Sequence, residues 1–103
     1  MNKFLNEWVD EKTKKELMLI IQRYLPGCKI YLFGSRAKGT YMGGADIDLA
    51  LDAGHKIDWQ TLRKINDEIE STTIPVFVDL IDIYSVENDF LEAIKKEWIQ
   101  WTN

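Results

Sequence analysis

The chain has 103 residues, of which 46% are hydrophobic and 29% are charged, and this balance predicts one compact domain over residues 1–103. Aromatic residues make up 12% of the chain and prolines number only 2, which excludes intrinsic disorder, and no apolar run approaches the ~20 residues that a membrane span needs. The formal net charge of −4 argues against a domain that grips long nucleic acid, but it is compatible with a nucleotide that arrives with a divalent metal ion.

The N-terminal residues and the single cysteine indicate the compartment. Lys3 and Glu7 place charge where a signal peptide would need an apolar stretch, so export is not expected. Cys28 is the only cysteine and can form neither an internal disulfide nor a zinc site. We therefore expect a cytoplasmic protein.

The first half of the chain predicts a helix, a strand and a glycine-rich loop. Apolar residues recur at helical spacing over residues 10–25, and either Asp10 or a capping box that begins at Thr13 can cap this helix. Residues 29–33 are β-branched and aromatic, which is typical of a short strand. Residues 34–44 hold four of the six glycines and predict a polar loop that contains one helical turn.

Two strands and two helices are predicted in the second half. Residues 46–52 alternate between apolar and polar, as a half-buried strand does. A helix capped by Asp58 follows over residues 58–71. Residues 74–83 are a nearly continuous apolar strand, which we expect at the centre of the sheet, and residues 87–98 predict the last helix. The apolar stripes of these two helices are Trp59, Leu62, Ile65 and Ile69, then Phe90, Leu91, Ile94 and Trp98.

The predicted order of elements is α-β-β-α-β-α, with no internal repeat and no linker. Two strands joined without a long helix indicate at least one antiparallel pair, so the sheet should be mixed. The expected fold class is therefore α/β (α+β), a small mixed β-sheet with the helices packed on one face.

Asp46 and Asp48 are the first candidates for chemistry. Their spacing places both carboxylates on one face of a strand, where two like charges repel unless a cation lies between them. Hard oxygen ligands at this spacing suit Mg²⁺ or Mn²⁺, which share their ligands with substrate phosphates. A solvated strand face is the alternative explanation of a single Asp-x-Asp pair.

Gly34 and Ser35 are candidates for binding phosphate. A strand that ends in Gly-Ser and leads into a helical turn offers free backbone N–H groups and a hydroxyl. Arg36 and Lys38 are near enough in sequence to add charged contacts. An ordinary turn explains the Gly-Ser pair equally well when it is taken alone.

The two motifs together carry more weight than either one. Gly-Ser, ten residues and then Asp-x-Asp fix four letters, which chance supplies in about one sequence in a thousand of this length. The segment GSRAKGTYMGGADIDLA, residues 34–50, resembles the signature of the nucleotidyltransferase superfamily that includes DNA polymerase beta. It is most similar to the smallest branch, the MNT-type minimal nucleotidyltransferases, and the resemblance covers nearly the whole chain.

The resemblance implies a third carboxylate from a later strand in a Val-Asp-Leu context, which Asp79 matches. The apolar residues around it favour the same residue, because Val78 and Leu80 form the better core face. This turns Asp79 toward the cleft and leaves Asp82 as a structural or edge residue. Two positions depart from the family pattern: Ala45 stands where serine is usual, and Lys38 stands where many members have arginine.

The resemblance also implies a function: transfer of AMP from Mg-ATP to an acceptor hydroxyl. Asp46, Asp48 and Asp79 would be the catalytic metal ligands for two Mg²⁺ ions, with Mn²⁺ as an alternative, and Gly34 and Ser35 would hold the phosphates. MNT proteins resemble the antitoxins of HEPN/MNT pairs, so the expected partner is a HEPN-domain RNase toxin, modified on a tyrosine within a hetero-oligomer.

Two alternatives stay open at this point. The chain could be a non-catalytic MNT module that only masks its partner, or an enzyme that modifies a small molecule such as an aminoglycoside. Trp98 and Trp101 near the C-terminus are compatible with core packing and with contact to a partner. No membrane association is expected.

Overall fold

The computed structural model describes residues 9–40 and 43–102, which form a four-stranded sheet flanked by helices. In chain order the elements are α1 (Glu11–Tyr24), β1 (Lys29–Phe33), α2 (Gly34–Lys38), β2 (Ile47–Asp52), α3 (Trp59–Glu70), β3 (Val78–Asp82), α4 (Asn88–Lys95) and β4 (Ile99–Gln100). The mixed α/β fold class is confirmed. In the part of the chain that the structure describes, no helix is long and apolar enough to cross a membrane.

Helix α1 begins at the first of its two candidate caps. The Asp10 side chain accepts a hydrogen bond from the backbone N–H of Thr13 at 2.8 Å, so Asp10 is the N-cap and Thr13 lies inside the helix. This bond satisfies one of the backbone donors that a helix N-terminus leaves free. The helical turn predicted in the glycine-rich loop is present as helix α2, which is five residues long.

The sheet has the strand order β3-β2-β1-β4. Strands β1 and β2 are antiparallel, as predicted, whereas β2 and β3 are parallel. Strand β3 therefore lies at an edge, and its expected central position is wrong. Its apolar run is explained by burial on both faces, with Val78 and Leu80 in one layer and Ile81 in the other. Burial of the faces says nothing about which strand edges are paired.

Two apolar layers cover the sheet, one on each face. Alternate residues of β1 and β2 enter different clusters: Ile30 and Leu32 join α1 and α3 in the larger cluster, and Tyr31 and Phe33 join α4 in the smaller one. The expectation that the helices share one face holds for α1 and α3 but is wrong for α4. The Trp98 ring stacks on Tyr31 with ring centroids 3.8 Å apart, which fixes α4 against that opposite face.

Strand β4 was not predicted, because two residues are too short to show a period. It pairs with β1, and the backbone N–H of Trp101 donates to the carbonyl of Ile30 at 2.8 Å. Thr102 closes the same edge by accepting the N–H of Ile30 at 3.2 Å.

Candidate active site

The glycine at the start of α2 is required by its surroundings. Gly34 has φ +76°, in the left-handed region that side chains rarely adopt, and it follows the extended residue Phe33. A Cβ at Gly34 would overlap the carboxylate oxygen Oδ2 of Asp48. The chain therefore turns into α2 directly against the Asp48 side chain, and only glycine permits this approach.

The register of the sheet gathers the predicted carboxylates on one face. Asp48 pairs with Phe33 of β1 on one side and with Asp79 of β3 on the other. Asp79 is exposed, Asp48 is half-buried, and Asp46 is exposed just before β2 begins. Because paired residues point to the same side of a sheet, the side chains of Asp48 and Asp79 face the α4 side together.

The pKa of Asp48 reflects the closeness of the other carboxylates. Burial raises its pKa, and the nearby carboxylates of Asp79 and Asp46 raise it further, to about 6 from an ordinary 3.8; the Arg36 guanidinium opposes the shift. An acid that is held in a half-buried position between like charges binds a cation or a proton favourably.

The donor set fits a divalent metal ion brought by a substrate. Within residues 9–40 and 43–102, no three acidic, histidine or cysteine side chains already converge on one point that could hold a metal. Mg²⁺ does not need such a cage, since it keeps several waters and binds one or two carboxylates together with substrate phosphates. The carboxylates near Asp48 are close enough to repel it and supply the hard oxygen ligands that Mg²⁺ prefers.

Asp82 has a different environment from Asp79, three residues earlier on the same strand. Its side chain is 4% exposed and accepts hydrogen bonds from the N–H of Ile57 at 2.8 Å, the N–H of Tyr84 at 3.0 Å and the hydroxyl of Ser85 at 2.9 Å. The predicted opposite orientation of the two aspartates is confirmed. Asp82 ties the loop before α3 to the end of β3.

The charged residues of α2 already have partners. Nε and Nη2 of Arg36 both donate to the carbonyl of Ala45, at 3.0 and 2.8 Å, and so join the two ends of the glycine-rich loop. Nζ of Lys38 lies 3.3 Å from a carboxylate oxygen of Glu97, just after α4. Ser35 is half-buried, and its carbonyl accepts the N–H of Thr40 at 3.0 Å.

Sequence reasoning missed two residues near the site. Phe90 was predicted to be buried in the stripe of α4, yet it is 45% exposed over Phe33. Glu97 carried no signal in the sequence, since a carboxylate after a helix is ordinary. Of the residues predicted for the site, the structure brings Gly34, Asp48 and Asp79 together. Tyr41 and Met42, in the same loop, lie outside the described residues.

This arrangement defines a class of domain. A small mixed sheet places carboxylates from two adjacent strands beside a glycine-led turn, which suits a metal ion that shares its ligands with substrate phosphates. Residues 11–100 match the family model described as "Polymerase beta, Nucleotidyltransferase", and the chain belongs to this nucleotidyltransferase family. Membership implies an ATP substrate and a divalent metal ion in general.

Several known proteins are similar to the chain. A probable protein adenylyltransferase MntA from Haemophilus influenzae is 30% identical over 80 residues, which cover 78% of this chain and 70% of that protein. A chain in a crystal structure of a toxin-antitoxin with AMP-PNP is 25% identical to this chain in sequence and superposes on it with a TM-score of 0.67. The match covers 87% of this chain and 73% of that chain. A tri-AMPylated Shewanella oneidensis HEPN toxin in complex with MNT antitoxin has 22% identity and a TM-score of 0.63, over 90% and 72% of the two chains, and shows the shared fold.

Proposed function

We propose that this nucleotidyltransferase moves AMP from Mg-ATP to a tyrosine hydroxyl of a HEPN-domain toxin and so acts as its antitoxin. The observation that carries the proposal is the pairing of Asp48 with Asp79 beside Gly34, because two carboxylates and a glycine-led turn on one face of the sheet suit a nucleotide with its metal ion. The protein adenylyltransferase relative and the toxin-antitoxin neighbour that holds an ATP analogue support the choice of acceptor.

In the proposed reaction the acceptor oxygen bonds to the α-phosphorus of ATP, the bond from that phosphorus to pyrophosphate breaks, and the hydroxyl proton leaves to solvent. Bound divalent ions, which we propose to be two Mg²⁺ with Mn²⁺ as a substitute, would stabilise the attacking and leaving oxygens. Asp46, Asp48 and Asp79 would hold them. Gly34 and Ser35 would bind the outer phosphates through backbone N–H groups and a hydroxyl.

The two basic residues of α2 have separate parts in this proposal. Arg36 holds the loop closed through Ala45 and keeps Asp46 near the turn, so its effect on the nucleotide comes through the shape of the loop. Lys38 is paired with Glu97, and both side chains are exposed enough for such a pair to be weak, so the ammonium group would be free to contact phosphate as well.

The setting of the reaction is part of the proposal. We propose that residues 1–103 act as one domain, supported by a single sheet whose two faces carry the two apolar clusters. We place it in the cytoplasm, where the buried free thiol of Cys28 would stay reduced, and in a hetero-oligomer with its HEPN partner.

The test is transfer to the partner. The purified chain, its HEPN partner and Mg-ATP are incubated together, and the mass of the partner is measured by mass spectrometry. Each AMP that is attached by metal-assisted transfer adds ~329 Da to this mass. We expect Asp48→Asn to abolish the adduct. Asp67→Asn, which changes an exposed carboxylate on α3, is the matched control and should not. If the partner is neutralised without any adduct, the chain is a masking module and the proposed enzyme function is wrong.

A further inference from the structure

A cleft beside the candidate active site has no ligand assigned to it in the proposed reaction. Its volume is about 260 Å³. It is lined by Phe33, Gly34, Lys38, Phe90, Ala93, Ile94 and Glu97. Because Gly34 is both the first residue of α2 and part of the cleft wall, the cleft is continuous with the site that would hold the phosphates.

The cleft lies on the catalytic face of the sheet. Phe33 is the register partner of Asp48, so its ring and the carboxylate share the side that α4 covers. The Phe90 ring meets Phe33 edge-on, with ring centroids 6.1 Å apart and planes at 86°. Phe90 is therefore separated from the Asp48 position by a single aromatic side chain.

Phe90 packs against a buried ring and is itself partly open to solvent. Phe33 is only 8% exposed, whereas Phe90 is 45% exposed in the first turn of α4. In an edge-on pair Phe33 covers at most one face of the Phe90 ring, so at least one face is left by this contact for stacking. Large apolar surface left open beside a functional site is typical of a binding surface.

The size and the rim of the cleft limit its occupant. Pockets for whole small molecules enclose about 300–1,000 Å³, so this cleft suits one ring system, such as a base, better than a complete nucleotide. The Lys38–Glu97 ion pair, with its N···O separation of 3.3 Å, supplies both a hydrogen-bond donor and an acceptor at the rim. A nucleobase has an apolar face and a polar edge and matches both features.

We propose that Phe90 is a binding residue for the nucleobase, which stacks on its ring while the phosphates lie at Gly34 and Ser35. The inference rests on the proposed function, because it concerns the nucleotide of the same reaction. Stacking would give ATP an affinity that an inorganic triphosphate lacks.

The test compares two magnesium-bound ligands on folded variants. Mg-ATP and Mg-tripolyphosphate are titrated by calorimetry against the wild type, Phe90→Leu, which keeps the apolar packing but removes the ring, and Phe90→Tyr, which restores a ring. Loss of base stacking should weaken Mg-ATP binding about 5- to 150-fold in Phe90→Leu, with the affinity restored in Phe90→Tyr. Mg-tripolyphosphate binding should not change in either variant.

Two further measurements separate stacking from a general effect. Trp59→Ala removes an exposed aromatic ring from α3, which packs on the opposite face of the sheet, and should leave both affinities unchanged. The fluorescence of 2-aminopurine riboside triphosphate should be quenched on binding to the wild type and to Phe90→Tyr but not on binding to Phe90→Leu.

Three results would overturn the inference. Unchanged Mg-ATP affinity in Phe90→Leu would remove the stacking role, and an equal loss for both ligands would mean that Phe90 only supports the phosphate turn. Reduced modification of the partner with normal Mg-ATP affinity would assign Phe90 to the acceptor. If the wild type binds no Mg-ATP at all, the proposed function fails as well, and that result is distinct from the other three.

Discussion

Replacing Asp48 by asparagine should stabilise the protein in the absence of metal while abolishing transfer. The pKa of Asp48 is raised to about 6 in the folded chain, mainly by burial and then by Asp79 and Asp46. A raised pKa in the folded state means that this carboxyl contributes stability below its unfolded pKa, near 4, and that the contribution is lost as the pH rises through about 6. At pH 7 without metal the charged carboxylate is therefore destabilising.

The size of the effect follows from the shift. A difference of about two pKa units corresponds to at most ~3 kcal/mol, and because Asp48 is only half-buried we expect ~1–2 kcal/mol after solvent screening. Asparagine carries no charge, so the free energy of unfolding of Asp48→Asn should exceed that of the wild type by this amount at pH 7. The difference in stability should shrink towards pH 4.

The assay is urea unfolding of both proteins at several pH values, in EDTA and in Mg²⁺ with ATP. Ligand that binds only the folded state should raise the stability of the wild type and not that of Asp48→Asn. If the variant is no more stable than the wild type at pH 7 in EDTA, or if the difference does not depend on pH, our account of the crowded carboxylates is wrong.

Three further predictions concern neighbouring residues. Gly34→Ala should lose transfer activity and about 1–2 kcal/mol or more of stability, whereas Gly27→Ala, with a similar φ of +79° and nothing within 4 Å of its Cβ, should lose stability alone; urea unfolding and the adduct assay separate them. Ser35→Ala should weaken Mg-ATP binding roughly 10- to 150-fold by calorimetry. An unchanged affinity would mean that the Gly-Ser pair only forms a turn and that Ser35 does not bind phosphate. Asp79→Asn should eliminate the mass adduct with Mg-ATP binding largely retained. Asp82→Asn should keep the adduct and cost about 1–3 kcal/mol of stability. An adduct that persists in Asp79→Asn but is lost in Asp82→Asn would mean that Asp82, and not Asp79, acts in transfer.

The alternating residues of the chain were sufficient to predict much of the site. Strict alternation over 46–52 fixed which residues of β2 share a face, and the register of the structure places Asp48 of that strand beside Asp79. The same period-two argument separated Asp79 from Asp82, which is buried among three hydrogen-bond donors. Side-chain direction is a local property, so it can be read from a single sequence.

The errors concern properties that depend on distant parts of the chain. The apolar run of β3 predicts a central strand, but β3 lies at an edge of the sheet. An apolar run shows that both faces of a strand are covered and does not show whether a second strand pairs with each of its edges. Trp59 fits the helical period of α3 yet is 65% exposed, whereas Ile57, just before the helix, is buried. The pairing of β4 depends on two residues that meet β1 from 67 and 69 positions away along the chain.

The residues closest to the proposed chemistry are those that contradict ordinary folding preferences. Asp48 is half-buried with a raised pKa, and Phe90 exposes an aromatic ring. Each of these two features has a cost in the free protein that a bound nucleotide with its metal would remove: the cation neutralises the carboxylate, and the base covers the ring. Gly34 has a left-handed φ, which costs glycine little, so the turn beside Asp48 is held without such a cost. Two separate costs that one ligand relieves together are stronger support for a nucleotide site than either residue taken singly.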